Sequence, residues 1–166
     1  MKQLTLIRHA KSSWKNAYLL DIERPLKKRG KRDAPVMGKR LAERESVPDL
    51  LVSSPAKRAL ATAEIIAKEI EYPPEDIIVD DKLYGAGVSR LLKIIWGFDD
   101  GFEHAACVGH NPGLTDFVNH VSSHFIDNVP TCGIITMMFD IDAWASVGHV
   151  EPAQVDFDYP KKEHPG

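Results

Sequence analysis

The strongest constraint on this chain is an alternation. Short apolar runs change places with segments of helical period from one end to the other. Leu4 to Ile7, Pro48 to Ser53, Ala105 to Gly109 and Gly133 to Phe139 have strand length, and Ile77 to Val79 is a shorter one. Between them lie faces at helical spacing. Ala34, Met37 and Leu41 outline the first. Ala59, Leu60, Ala63, Ile66, Ala67 and Ile70 outline the second, Leu91, Leu92, Ile95 and Phe98 the third, and Leu114, Phe117, Val118 and Val121 the fourth. The alternation predicts an α/β fold in three layers: a mostly parallel sheet with an antiparallel edge, and helices on both faces. The antiparallel edge is expected because Val147 to Glu151 follows Gly133 to Phe139 closely enough to pair as a hairpin. Proline marks the helix starts. Ser54-Pro55 and Asn111-Pro112 read as caps followed by first helical positions. Pro35 should kink its helix or sit in the first turn behind Asp33.

At 166 residues the chain has the length of one domain, expected over residues 1–159, with a loose polar tail at 160–166. A formal net charge of −3 offers no basic footprint, so nucleic acid is not an expected partner. No apolar run reaches transmembrane length, and Met1-Lys2-Gln3 leads into a strand rather than a signal-peptide core. Cys107 and Cys132 sit in apolar runs and read as buried reduced thiols, so the expected location is cytoplasmic. Nothing in the pattern specifies an oligomeric state.

Chemistry gathers at three strand ends. The first strand stops at Arg8-His9. The second is followed by Ser53-Ser54-Pro55 and, one turn on, Arg58. The strand at Ala105 ends in Gly109-His110-Asn111-Pro112. Open α/β sheets bind ligands at the carboxyl ends of their strands, so residues roughly 50 positions apart in sequence are expected at one edge. The residue types suit a phosphoryl group. Arg8 and Arg58 offer planar forks for phosphate oxygens, and Arg58 lies near a helix N-terminus that favours an anion. A neutral His9 can attack phosphorus, the surrounding arginines being expected to keep it uncharged, and a protonated His110 can donate to the transferring oxygens.

The motifs resemble those of the histidine phosphatase superfamily. Leu6-Ile7-Arg8-His9-Ala10-Lys11 is similar to its Arg-His-Gly motif, with alanine in place of glycine. Ser53 to Ala63 and Val108 to Pro112 resemble its second and third motifs. Arg24-Pro25-Leu26 followed by Arg29-Gly30 resembles the small SixA-like branch of phosphohistidine phosphatases. The resemblance implies a phosphatase that works through a phospho-His9 intermediate without metal or cofactor. It implies Arg8, His9, Arg58 and His110 as catalytic residues, and Arg8, Arg24, Arg58, His110 and Asn111 as substrate contacts. The implied substrate is phosphohistidine on a protein. A small phosphorylated molecule hydrolysed as a phosphomonoester, or a non-catalytic phospho-ligand-binding role, is the alternative.

One position departs from the family pattern. Gly85 stands where relatives often carry a glutamate that acts as general acid. Asp81, Tyr84 and Glu103 are the candidates to replace it. Without an acid, an alkoxide leaving group suffers more than an imidazole, which favours phosphohistidine. His120 and His124 have the i, i+4 spacing of a helical metal pair but lack a third ligand in view. Trp14 lies close enough to the first motif to border the pocket.

Overall fold

The computed structural model describes residues 1–44 and 47–162. Its strands are β1 (Lys2–Arg8), β2 (Leu50–Ser53), β3 (Ile78–Val79), β4 (His104–Gly109), β5 (Ile134–Phe139) and β6 (Gln154–Asp158). Its helices are α1 (Lys28–Glu43), α2 (Lys57–Glu69), α3 (Val88–Trp96) and α4 (Gly113–Val121). The sheet has the order β3-β2-β4-β1-β5-β6. The first four strands in that order run parallel, and β5 is antiparallel to both β1 and β6.

The period of two along each strand divides the core in half. Leu4 and Leu6 of β1, Leu50 and Val52 of β2, and Ala105 and Cys107 of β4 face one way, packing with Leu91, Ile95, Leu114 and Phe117 of α3 and α4. Ile7, Leu51, Ala106 and Val108 face the other way, against Ala34, Met37, Ala63 and Ile66 of α1 and α2. Burial on both faces explains why these strands read as nearly continuous apolar runs.

Several local expectations are corrected. Of the two placements expected for Pro35, the one in the first turn behind Asp33 is excluded, since Pro35 lies well inside α1. The helix begins earlier because its start is pinned to the loop after β1. Lys27 N donates to Lys11 O at 2.9 Å, and a Cβ on Gly30 would lie 2.2 Å from that same oxygen. Only glycine permits that approach. Lys31, whose carbonyl loses its helical partner to Pro35, is exposed to water. Helix α2 starts at Lys57 rather than Pro55, because Ser54 N still continues the strand ladder by donating to Val108 O at 3.0 Å. His124 lies beyond the end of α4, where Ser122 is extended, so it shares no helix face with His120.

The partner of β5 is Gln154–Asp158, not 147–151. The turn at Trp144–Ser146 buries Trp144, and Gly148 takes a φ of 94°, which folds the preceding segment away from the sheet. Arg40 and Arg44 then tie α1 to β6 through Asp156 and Asp158. Arg40 also donates to the carbonyls of Tyr159 and Pro160, so the expected tail is held at its first residue. Lys162 N also donates to Tyr159 O at 3.0 Å, and residues 163–166 lie outside the described residues.

Candidate active site

The register of the parallel strands assembles the site. Arg8 is level with Gly109, and Ser53 with Val108, so β1, β2 and β4 stop at one edge. The backbone of His9 is fixed from both sides. Its N–H donates to Gly109 O at 3.0 Å, and its carbonyl accepts from Cys132 N at 3.0 Å. Cys132 reaches that position with a φ of 61°, a left-handed conformation uncommon for a residue with a side chain. Such residues concentrate where a fold is held to a functional geometry.

His9 is 7 % exposed. Nδ1 lies 2.8 Å from the carbonyl of Ala10. A carbonyl only accepts, so Nδ1 carries the proton and a neutral ring leaves its Nε2 lone pair unprotonated. Burial is the main force that pushes His9 down to about 3, while the Ala10 bond opposes it and His110, Arg58 and Arg8 add smaller repulsions. The expectation that arginines keep His9 neutral is thus corrected: desolvation does most of it. Ala10 is itself held, since its N–H donates to Thr62 Oγ1 at 3.0 Å and that hydroxyl donates to Arg58 O at 2.7 Å.

His110 lies beside His9, with ring centroids 5.2 Å apart. Its Nε2 is 2.7 Å from Ser54 Oγ, and Tyr84 meets its ring edge-on at 5.6 Å. Burial, followed by Arg58, pushes His110 down to about 4. The expected protonated donor is therefore neutral near pH 7 in the unliganded protein.

Three guanidinium groups surround the histidines. Arg8 donates from Nη1 to Val129 O at 2.9 Å. Arg58 donates to the carbonyl of Asp21 at 2.7 Å and to its Oδ2 at 3.0 Å. Arg24, extended before Pro25 as expected, is 7 % exposed. It bonds Ser13 O, Ser12 Oγ and Asp21 Oδ1, and Trp14 stacks over its guanidinium at 3.3 Å. Among the described residues, Arg8 Nε, Arg58 Nε and His110 Nδ1 are buried without a protein partner. Buried polar atoms are nearly always satisfied, so three such atoms around one histidine mark a site built for a polar ligand.

Asp21 is the residue that sequence reasoning missed. In the sequence it is one of two acids, with Glu23, just before Arg24. Its carboxylate instead joins Arg24, Arg58 and the Tyr84 hydroxyl, which donates to Oδ2. The Tyr84 bond, then Arg24 and Arg58, hold it well below the usual carboxylate range.

Asn111, expected to contact substrate, is committed elsewhere. Its Oδ1 accepts from Thr115 N and Oγ1, and its Nδ2 donates to Asn128 Oδ1 and Val129 O. It ties the start of α4 to the segment before β5. Of the three candidates to replace the glutamate, only Tyr84 is at the site. Glu103 bonds Gln3 at the opposite end of the sheet, and Asp81 lines a separate groove of about 880 Å³ beside α3. Gly85 itself takes a φ of 71°, with nothing within 4 Å of where a Cβ would be. Backbone conformation, not crowding, favours glycine there.

Residues 4–85 match the family model described as "Histidine phosphatase superfamily (branch 1)". The chain belongs to the histidine phosphatase superfamily. Its fold matches the putative phosphohistidine phosphatase SixA of Agrobacterium tumefaciens, with a TM-score of 0.71 and 26% identity over 82% of this chain and 90% of that one. A protein histidine phosphatase SixA complexed with tungstate matches with a TM-score of 0.72 and 20% identity, covering 95% of this chain and 94% of that chain. An uncharacterized chloroplastic protein of Arabidopsis thaliana is 26% identical over 151 residues, 86% of this chain and 69% of that protein. Membership and these neighbours support phosphatase chemistry. No helix among the described residues is long and apolar enough to cross a membrane.

Proposed function

We propose that this chain is a phosphohistidine phosphatase, with His9 as the nucleophile. The observation that carries the reading is the His9 ring: a buried neutral imidazole whose Nδ1–H is committed to Ala10 O, leaving Nε2 free to attack. The phosphoryl oxygens take the unpartnered donors of Arg8 and Arg58, with Arg24 nearby, and His110 lines the other side. Attack by Nε2 forms a P–N bond as the bond to the leaving group breaks. Water then attacks the phospho-His9 and releases phosphate. No metal or cofactor takes part in this scheme.

The substrate assignment follows from the proton supply. Asp21, the carboxylate that bonds Arg58 and Tyr84, is ionised and cannot protonate a departing alkoxide. Tyr84 is pushed up from its usual value, first by its bond to Asp21, which makes it a poor acid as well. An imidazole needs no such help. That favours phosphohistidine on a protein over a small phosphomonoester. A tungstate-bound SixA relative is consistent with an oxyanion site at this edge of the fold. The two free buried cysteines, Cys107 and Cys132, suit a reducing, cytosol-like compartment.

Rapid quench with labelled phosphohistidine peptide tests the reading. The expected result is an acid-labile, base-stable adduct on the protein that His9→Ala abolishes. An adduct that survives His9→Ala, or turnover by that variant at the wild-type rate, overturns it.

A further inference from the structure

We propose that Asp21 determines the leaving group: its carboxylate accepts the N–H of the departing imidazole ring. This rests on the phosphohistidine reading above and adds the residue that recognises the part of the substrate beyond phosphorus.

Position is the first argument. Asp21 bonds Arg58, which lines the pocket, and Tyr84, which packs edge-on against His110. It therefore stands at the mouth, one side chain away from the reacting centre. Access is the second. The side chains of Arg24 and Arg58 behind it are 9% and 7% exposed, whereas that of Asp21 is 47% exposed. A group bound through its phosphate to the buried arginines leaves through the space beside this carboxylate.

Valence is the third argument. An ionised carboxylate has about four acceptor directions. Arg24 takes one on Oδ1, and Arg58 and Tyr84 take two on Oδ2. One direction on Oδ1 is left for a further donor. Charge is the fourth. Held ionised by its partners, Asp21 accepts hydrogen bonds and cannot give a proton. An N–H leaving group is stabilised by it, and an anionic oxygen leaving group is repelled.

The step balances without an added acid. The phosphorylated ring enters with a proton on its far nitrogen, facing Asp21. His9 Nε2 forms its bond to phosphorus while the P–N bond to the substrate ring breaks. The electron pair of that bond returns to the ring, which leaves as neutral imidazole with the proton it brought. Asp21 is ionised before and after.

The test compares wild type with Asp21→Asn on two substrates, a phosphohistidine peptide and p-nitrophenyl phosphate. The latter has a good anionic oxygen leaving group. The readout is the ratio of kcat/KM between them. The expected result is a ratio at least tenfold lower in the variant. If Asp21 only orients Arg58 and Arg24, both substrates fall by one factor and the ratio holds, which overturns the inference and leaves the phosphohistidine reading standing. If wild type hydrolyses the ester but not the peptide, the reading falls and the inference falls with it. Should Asp21→Asn not fold, Asp21→Ser is read by the same ratio.

Discussion

Lowering the pH from about 7.5 to 5 should destabilise this protein through its buried histidines. His9 is depressed to about 3 and His104 to about 4, both chiefly by burial, and His110 is also depressed to about 4. His104 lies outside the site, on β4, where its Nε2 bonds Thr5 Oγ1 at 2.7 Å. Each group is neutral in the folded state and takes a proton near its ordinary pKa of 6.5 once unfolded. The stability they contribute is full above pH 6.5 and is lost as pH falls below it, down to the folded values. At pH 5 an unfolded histidine gains about 1.5 pKa units of protonation free energy, or ~2 kcal/mol. His9 and His104 together then remove about 4 kcal/mol. His110, less completely buried, adds up to ~2 more. This window lies above the carboxylate range, so Asp21 and its like do not confuse it. Chemical denaturation at the two pH values measures the difference directly, and its pH slope should show at least two protons bound on unfolding. A loss below about 1 kcal/mol would mean that the native rings take protons near their ordinary pKa, and the account in which burial depresses His9 would fail.

Arg58→Lys should lower kcat/KM on the phosphohistidine peptide by roughly 10²-fold or more, since an ammonium cannot hold Asp21 and a phosphate oxygen at once. Steady-state kinetics check this, and a value within threefold of wild type refutes it. Thr62→Val should cost about 1–3 kcal/mol, because it leaves the buried Ala10 N–H without an acceptor. A denaturation midpoint unchanged from wild type would show that Ala10, and hence the His9 ring, is held by other means.

The residues whose placement depends only on strand ends were legible in the sequence. Arg8, His9, Arg58 and His110 follow strands in parallel register, so the rule that ligands gather at strand ends brought them together. The helix faces were legible for a similar reason: burial on one side writes a period of 3.6 into the chain. Asp21 was not legible. It sits in an irregular loop, and its meaning comes from Arg58, 37 positions away, and Tyr84, 63 away. No local period encodes such a meeting, although an acidic residue three positions before Arg24 was a visible hint. The strand β6 was misplaced because Gly148 and the turn that buries Trp144 redirect the chain by tertiary packing. Asn111 looks like a ligand contact because it follows a histidine at a strand end, whereas its amide bonds Thr115 and Val129, partners that no local pattern encodes.

The antiparallel strand has a consequence for how the pocket is recognised. Because β5 runs against β1, it begins where β1 ends, and the segment before it passes along the site. That segment meets the site through its main chain: Val129 O accepts from the Arg8 guanidinium, Gly133 O accepts from Arg8 N, and Cys132 N donates to His9 O. A wall made of peptide groups presents no side chain to the ligand. What holds the identities in residues 129–133 is packing beneath the wall rather than the site: Val129 and Cys132 are fully buried, and a Cβ on Gly133 would lie 2.8 Å from Pro130 O. A pattern search that weighs pocket-facing side chains alone will therefore see half of the enclosure.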